Sequence, residues 1–283
     1  MRENTPTGRL WESKKSLALK EFMKMDDLDE AKAAIVNVFT NRLSNPPRGE
    51  RRFSQEEIDA QAQYVAHRFD YAAQKHEGKK RLTGEAYMFH PATVTFMTLS
   101  DPHIPINKLL EAGDTTLCHD ILEDTHTLPR ELRDEIGPDA TRNVILLSKN
   151  MKAFDNSPET LQRELQGIGE NPTTDEIELR KWAKRKDGTK REKIQFHMDE
   201  LIKAPSLVIR ARVYDRLHNL NTLPPIYDPN RSPEDQDKVD KIWSEIFPET
   251  KEFIRPLAIS LGATGFALAM ELRNAYREKK RQQ

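Results

Sequence analysis

Six consecutive positions restrict what this chain can become. His119-Asp120-Ile121-Leu122-Glu123-Asp124 places an imidazole and three carboxylates inside a stretch whose surroundings read as helix. At about 3.6 residues per turn, His119, Asp120, Glu123 and Asp124 share an arc of roughly 140°. Ile121 and Leu122 fall outside it. A helix that gathers acids and a histidine on one side faces either water or a counter-charge. A divalent cation is the counter-charge that suits such ligands. The fragment alone leaves both readings open, and further ligands must come from elsewhere in the chain.

The rest of the composition sets the frame. Only 11 of 283 residues are Gly, and charged residues make up 32%, spread in long mixed runs. This favours an all-α fold over a strand-rich one. Lys and Arg number 45 against 46 Asp and Glu, so no basic excess is present to bind nucleic acid or an anionic membrane. One cysteine excludes an internal disulfide and a Cys-rich zinc site, and fits a reducing, cytoplasmic setting. The most apolar stretch, 253–270, is interrupted by Arg255, Pro256, Gly262 and Gly265, which suits a buried bundle helix better than a membrane span.

Along the chain, residues 1–50 read as an N-terminal helical extension with a packing or docking role, ending in Asn45-Pro46-Pro47-Arg48-Gly49. Ser54 and Glu57 form a capping box, followed by apolar residues at Ile58, Ala62, Val65, Phe69 and Ala72 and a stop at Gly78. His76 near that stop is expected to cap the helix or bond the next loop. A basic loop, Lys79-Lys80-Arg81, then turns at Gly84. His90-Pro91 opens another helix, where a lone histidine is more often a cap than a ligand. A further helix is expected from Thr127-Leu128-Pro129 to a stop at Gly137-Pro138.

Residues 155–192 carry turn signals and a basic cluster, including Arg180, Lys181, Lys184, Arg185 and Lys186. They read as a solvated insertion, or else as a surface for an acidic partner or the mouth of a site. The run 206–220 is apolar apart from Arg210, Arg212, Asp215, Arg216, His218 and Asn219. Asp215 and Asn219, four apart, share a helix face. An acid in so apolar a run needs a pairing arginine or a metal. Helices over 226–283 complete the chain.

His90, His119, Asp120 and Asp215 thus emerge as candidate ligands from three separate segments. Two imidazoles with two carboxylates suit Mn²⁺, Fe²⁺ or Mg²⁺ with open water positions better than a closed zinc site.

The order His, His-Asp, Asp resembles that of the HD phosphohydrolase superfamily. Within it, the chain resembles the hydrolase domain of the RelA/SpoT family. The matching segments are Arg81-Leu82-Thr83-Gly84-Glu85-Ala86-Tyr87-Met88-Phe89-His90-Pro91, then His119 to Thr125, then Asp215-Arg216-Leu217-His218-Asn219-Leu220-Asn221-Thr222-Leu223. Weaker likeness covers Glu249-Thr250, Pro256-Leu257-Ala258, Leu261-Gly262 and Glu271-Leu272. Ala86 stands where proline is usual, Leu82 where a basic residue is common, and Asn221 where arginine is usual. Val213-Tyr214 replaces Leu-Ala. These departures bear on nucleotide preference and leave the ligand positions intact.

The resemblance implies an HD-domain helical bundle over 51–283, with a metal site between helices. It also implies a small alarmone hydrolase without the synthetase domain. The implied reaction removes the 3′-pyrophosphate from (p)ppGpp with Mn²⁺, giving GDP or GTP. His90, His119, Asp120 and Asp215 would hold the metal, and Glu123 and Asp124 would position water and move its proton. Arg81, Thr83, Tyr87, Asn219 and Thr222 would form the nucleoside wall, with Lys79, Lys80 and Arg212 as phosphate contacts. The alternatives are an HD phosphatase of another nucleotide, such as NADPH, and an antitoxin or regulatory partner of a synthetase. That partner would be met through the insertion or the N-terminal extension.

Overall fold

The computed structural model describes residues 17–155, 157–184, 190–225 and 228–281. Its helices in chain order are α1 (17–22), α2 (Leu28–Ser44), α3 (Gln55–Lys75), α4 (Phe89–Leu99), α5 (Leu109–Leu117), α6 (Ile121–Asp124), α7 (Pro129–Leu147) and α8 (Lys152–Asp155). They continue with α9 (Pro158–Gln166), α10 (Thr174–Lys184), α11 (Lys190–Leu201), α12 (Ser206–Thr222), α13 (Pro233–Glu249), α14 (Arg255–Ser260) and α15 (Ala263–Lys280). A π-turn, Thr250–Ile254, links α13 to α14. Among the described residues the only β pairing is a single bridge between Lys80 and Ala86. The fold is all-α and compatible with an HD-type helical bundle.

Two helices sit at the centre. Every residue of α4 from His90 to Leu99 is buried, and so is every residue of α12 from Leu207 to His218. A helix buried on all sides has no polar face to give to water, so its charged groups need partners inside. α4 and α12 pack on each other, α5 packs on both, and α2 and α15 cover their outer sides. The buried charges of α12 find partners accordingly. Arg210 donates to Asp101 at 2.6 Å, and the Tyr214 hydroxyl donates to the same oxygen at 2.8 Å.

The expected start and stop signals operate as read. Ser54 accepts from the Glu57 N–H at 3.2 Å while Glu57 accepts from the Ser54 N–H at 2.8 Å, closing the capping box of α3. α7 breaks at Gly137, whose φ of 77° suits glycine, with Pro138 next. The described part of the N-terminal extension packs into the core. Phe22 stacks on Phe96 at 4.4 Å, and Arg42 donates to the carbonyls of Leu99, Asp101 and Ile104.

The solvated reading of 155–192 is corrected over α10, while α9 buries no residue. α10 lies along α7 and buries Asp175, Glu178, Leu179 and Trp182, which recur at the i, i+3, i+4, i+7 spacing of one helix face. Trp182 packs near Phe154. Of the basic cluster, Arg180 donates to the Ile168 carbonyl and Lys181 pairs with Glu178. Arg185 and Lys186 lie outside the described residues. Because Leu179 is 3% exposed, Leu179→Ala is expected to cost about 2–3 kcal/mol. Chemical denaturation that finds no loss would show that α10 is not part of the cooperative core.

Candidate active site

His119 and Asp120 do not lie on a continuous helix, contrary to the pattern reading. α5 ends at Leu117, and α6 is a single turn that starts after Asp120. A continuous helix would use the Thr116 carbonyl to accept from the Asp120 N–H. Here that carbonyl accepts from Nδ1 of His119 at 2.7 Å. The resulting turn lets His119 and Asp120 both face the start of α4. A carbonyl only accepts, so Nδ1 of His119 carries the hydrogen, and in the neutral ring Nε2 keeps its lone pair.

That Nε2 lies 3.2 Å from Nε2 of His90 and 3.3 Å from Oδ2 of Asp120. Nε2 of His90 is also 3.3 Å from Asp120 Oδ2 and 3.3 Å from Asp215 Oδ1. Ligand atoms of His90, His119 and Asp120 all fall within 4.8 Å of one another, the one such group among the described residues. Asp215 approaches the same Nε2 of His90 through Oδ1. The donor set therefore fits a divalent cation: two imidazole Nε2 atoms and carboxylate oxygens, with the far nitrogens of the rings already bonded.

Electrostatics match this crowding. Burial opposes charge on His119, but Asp120 and Asp215 outweigh it and lift its pKa to about 9. Burial likewise disfavours the Asp120 carboxylate, yet His119 and His90 hold it well below the usual range. For Asp215, His90 and Arg212 overcome burial in the same sense. Tyr87, pushed far up by burial and by Asp120, keeps its proton and donates to Asp120 Oδ2 at 2.7 Å. Tyr87 was expected on the nucleoside wall; its hydroxyl bonds Asp120, a candidate ligand. Its ring packs against His76, the C-cap residue of α3.

Glu123 and Asp124 follow on α6. Burial and the charge of Asp120 raise Glu123 to about 7, and Glu123 Oε1 accepts from the Lys149 N–H at 2.5 Å. Asp124 is raised for the same two reasons. Its carbonyl accepts from Lys79, offered above as a phosphate contact. Lys80 is exposed. Arg212, expected as a phosphate contact, is committed instead to Asp215 at 2.8 Å and Glu249 at 3.0 Å.

The Arg81 loop is a tight hairpin: the Arg81 N–H donates to the Glu85 carbonyl, and Gly84 turns with φ 93°. Arg81 donates to Asn219 Oδ1 at 3.1 Å and to Thr222 Oγ1 at 3.0 Å. Asn219 in turn donates to Asp215 Oδ1 at 2.5 Å. Three expected nucleoside residues thus form one chain that ends on a candidate ligand. Beyond Arg81 a cleft of about 540 Å³ opens between Leu82, Thr83, Pro224 and Pro225. Two participants escaped the pattern reading. His218 bonds His90, and Glu249 joins Arg212, Arg216 and Lys149. Both residues stand inside segments matched to the family above, but neither was given a role there.

Known proteins carry related sequence. Over 76 residues, 27% of this chain, it is 33% identical to a guanosine-3′,5′-bis(diphosphate) 3′-pyrophosphohydrolase of Aquifex aeolicus. Over 192 residues, 68% of the chain, it is 27% identical to proteins named GTP pyrophosphokinase rsh from Brucella melitensis and Brucella ovis. The chain has distant, partial homology to RelA/SpoT-family proteins. The match spans 10% of the Aquifex protein and 20% of each Brucella protein. No family model matches. No helix among the described residues is long and apolar enough to cross a membrane.

Proposed function

We propose that this chain is a metal-dependent hydrolase of guanosine alarmones, built on an HD-type helical bundle. It would cleave the 3′-pyrophosphate from (p)ppGpp with Mn²⁺. The observation that carries the reading is the convergence of His90, His119, Asp120 and Asp215 beside Glu123, with the Arg81 wall tied to the same cluster through Asn219. The partial homology to a pyrophosphohydrolase supports the substrate class. Names of the relatives point to both synthesis and breakdown, and the donor set favours breakdown because it suits water activation.

The cation would activate water for attack on phosphorus and offset phosphate charge. The chain's own groups do the rest. Glu123, oriented by the Lys149 N–H, takes the proton from water attacking the 3′-linked phosphorus. The bond from that phosphorus to the ribose 3′-oxygen breaks and the 3′-oxygen takes up a proton, releasing pyrophosphate and GDP, or GTP from the longer substrate. Asp124, one residue on, shares that proton or holds the water. Arg81 stacks across the purine as a planar guanidinium can. Lys79, one ammonium beside Asp124, faces the phosphate chain.

The test is a substrate panel on purified, Mn²⁺-loaded protein, with separate readouts for phosphate and pyrophosphate. Pyrophosphate from ppGpp supports the reading. An intact ppGpp pool, or phosphate from NADPH alone, refutes it. Protection from a toxic synthetase by a metal-dead variant would favour the binding role instead.

A pH signature follows from Glu123. A general base must be deprotonated, so kcat is expected to fall about tenfold per pH unit below the pKa of Glu123, which burial holds above the ordinary carboxylate value. Glu123→Gln is expected to bind Mn²⁺ normally, to lose about a hundredfold or more in kcat, and to lose that acidic limb. An unchanged limb in the residual activity would assign the base elsewhere.

A further inference from the structure

His90 and His119 present Nε2 to the same point, yet they are held differently. The partner of His119 is a carbonyl, which settles where its hydrogen lies. Nδ1 of His90 instead lies 2.7 Å from Nδ1 of a second imidazole, that of His218. The ring centroids are 4.9 Å apart. Two nitrogens that close need one hydrogen between them, with one as donor and the other as acceptor. The two residues are 2% and 4% exposed, so the contact is a direct one within the core.

The two arrangements differ in what they do to the metal site. With His218 as donor, a neutral His90 would carry its own hydrogen on Nε2, aimed among His119 Nε2, Asp120 Oδ2 and Asp215 Oδ1. With His90 as donor, Nε2 keeps a lone pair facing those same groups. Only the second arrangement offers His90 as a ligand.

We propose that His218 is a positioning residue that accepts the Nδ1 hydrogen of His90 and so fixes the tautomer presenting Nε2 to a divalent cation. The proposal rests on the metal reading above. His218 also ties the metal side to the nucleoside wall. Its carbonyl accepts from the Thr222 hydroxyl at 2.8 Å, and Thr222 Oγ1 accepts from Arg81 at 3.0 Å. One turn of α12 thereby sets both a ligand's tautomer and the anchor of the purine-facing arginine.

Calorimetric Mn²⁺ titration of the purified protein tests this without reference to turnover. His218→Leu keeps the apolar bulk and removes the acceptor. It is expected to weaken Mn²⁺ binding about 10- to 100-fold, as loss of an outer partner of a ligating histidine does. His218→Asn places a carbonyl oxygen near the lost Nδ1 and is expected to recover most of that loss. Equal weakening in both variants would reduce His218 to packing, and undiminished affinity in both would remove it from the site; each overturns the proposal. Wild-type protein that binds no Mn²⁺ would sink the metal reading and this inference together, whereas binding without variant effects sinks only the inference.

Should His218→Leu fail to fold, nitrogen-15 histidine spectra of the zinc-loaded wild-type protein decide the matter. The proposal requires hydrogen on Nδ1 of His90 and on Nε2 of His218. Hydrogen on Nδ1 of His218 overturns it.

Discussion

Asp120→Asn is expected to lower ppGpp cleavage by about a thousandfold or more, the several kcal/mol that a catalytic cation supplies. The size follows from where Asp120 Oδ2 sits. Nε2 of His90, Nε2 of His119 and the Tyr87 hydroxyl all lie within 3.3 Å of it. Asparagine keeps the shape and an acceptor for Tyr87 but carries no charge, so it is a poor ligand for a hard cation. Mn²⁺ affinity is expected to fall in parallel. The fold is expected to survive, because the substitution removes a buried charge rather than packing, and melting should shift by only a few degrees. Three measurements therefore belong together: turnover, Mn²⁺ titration and thermal unfolding. Wild-type Mn²⁺ affinity in the variant would place the cation elsewhere. Loss of metal with full turnover would make the cation structural.

The fold class could be read before the structure because its signals are local. The capping box at Ser54 needs four residues, and the stop at Gly137-Pro138 needs two. The candidate ligands His90, His119, Asp120 and Asp215 come from three distant segments; residue type grouped them, and the resemblance then gave their order a family pattern. The structure then supplies the reason they meet: α4 from His90 to Leu99 and α12 from Leu207 to His218 are buried and pack on each other, so a polar group on either stretch has to find a partner there.

What periodicity missed has physical causes. The helix drawn through His119 is broken because a side chain, not the Asp120 N–H, takes the Thr116 carbonyl, and residue spacing cannot register that competition. The segment 155–192 looked solvated because Asp175 and Glu178 lie on the same face as Leu179 and Trp182. Two carboxylates on a buried face dilute an apolar stripe below recognition. Arg133 approaches Asp175 and pairs with Glu176, and Lys181 pairs with Glu178, which makes that burial tolerable. Both failures arise where a long-range or side-chain partner replaces the backbone rule.

Glu249→Ala is expected to cost about 4 kcal/mol, because it leaves the buried Arg216 without its anion and the buried Arg212 with Asp215 alone. For a chain of this size that corresponds to a fall of about 10 °C in melting temperature. Glu249 closes α13 and receives three cations: Arg212 at 3.0 Å and Arg216 at 2.8 Å, both from α12, and Lys149 at 2.8 Å from the end of α7. Burial would raise its pKa, but Arg212, Arg216 and Lys149 overcome that and hold the carboxyl well below the ordinary range. An acid held low stabilises the fold fully above its unfolded pKa of about 4.3 and loses that contribution as pH falls further. The stability gap between wild type and variant should therefore be widest near neutrality and shrink on acidification. The effect reaches the active site as well. Arg212 also holds Asp215 Oδ2, and the N–H of Lys149 holds Glu123. Glu249→Ala is thus expected to lower kcat even at temperatures where the protein remains folded. Glu249→Gln keeps the volume and two polar atoms and should recover part of the stability. Denaturation curves at pH 7 and at the lowest pH, well below about 4.3, at which both proteins still fold decide the point: a gap that stays constant between them would mean that packing, not the carboxylate's charge, holds α13 against α12.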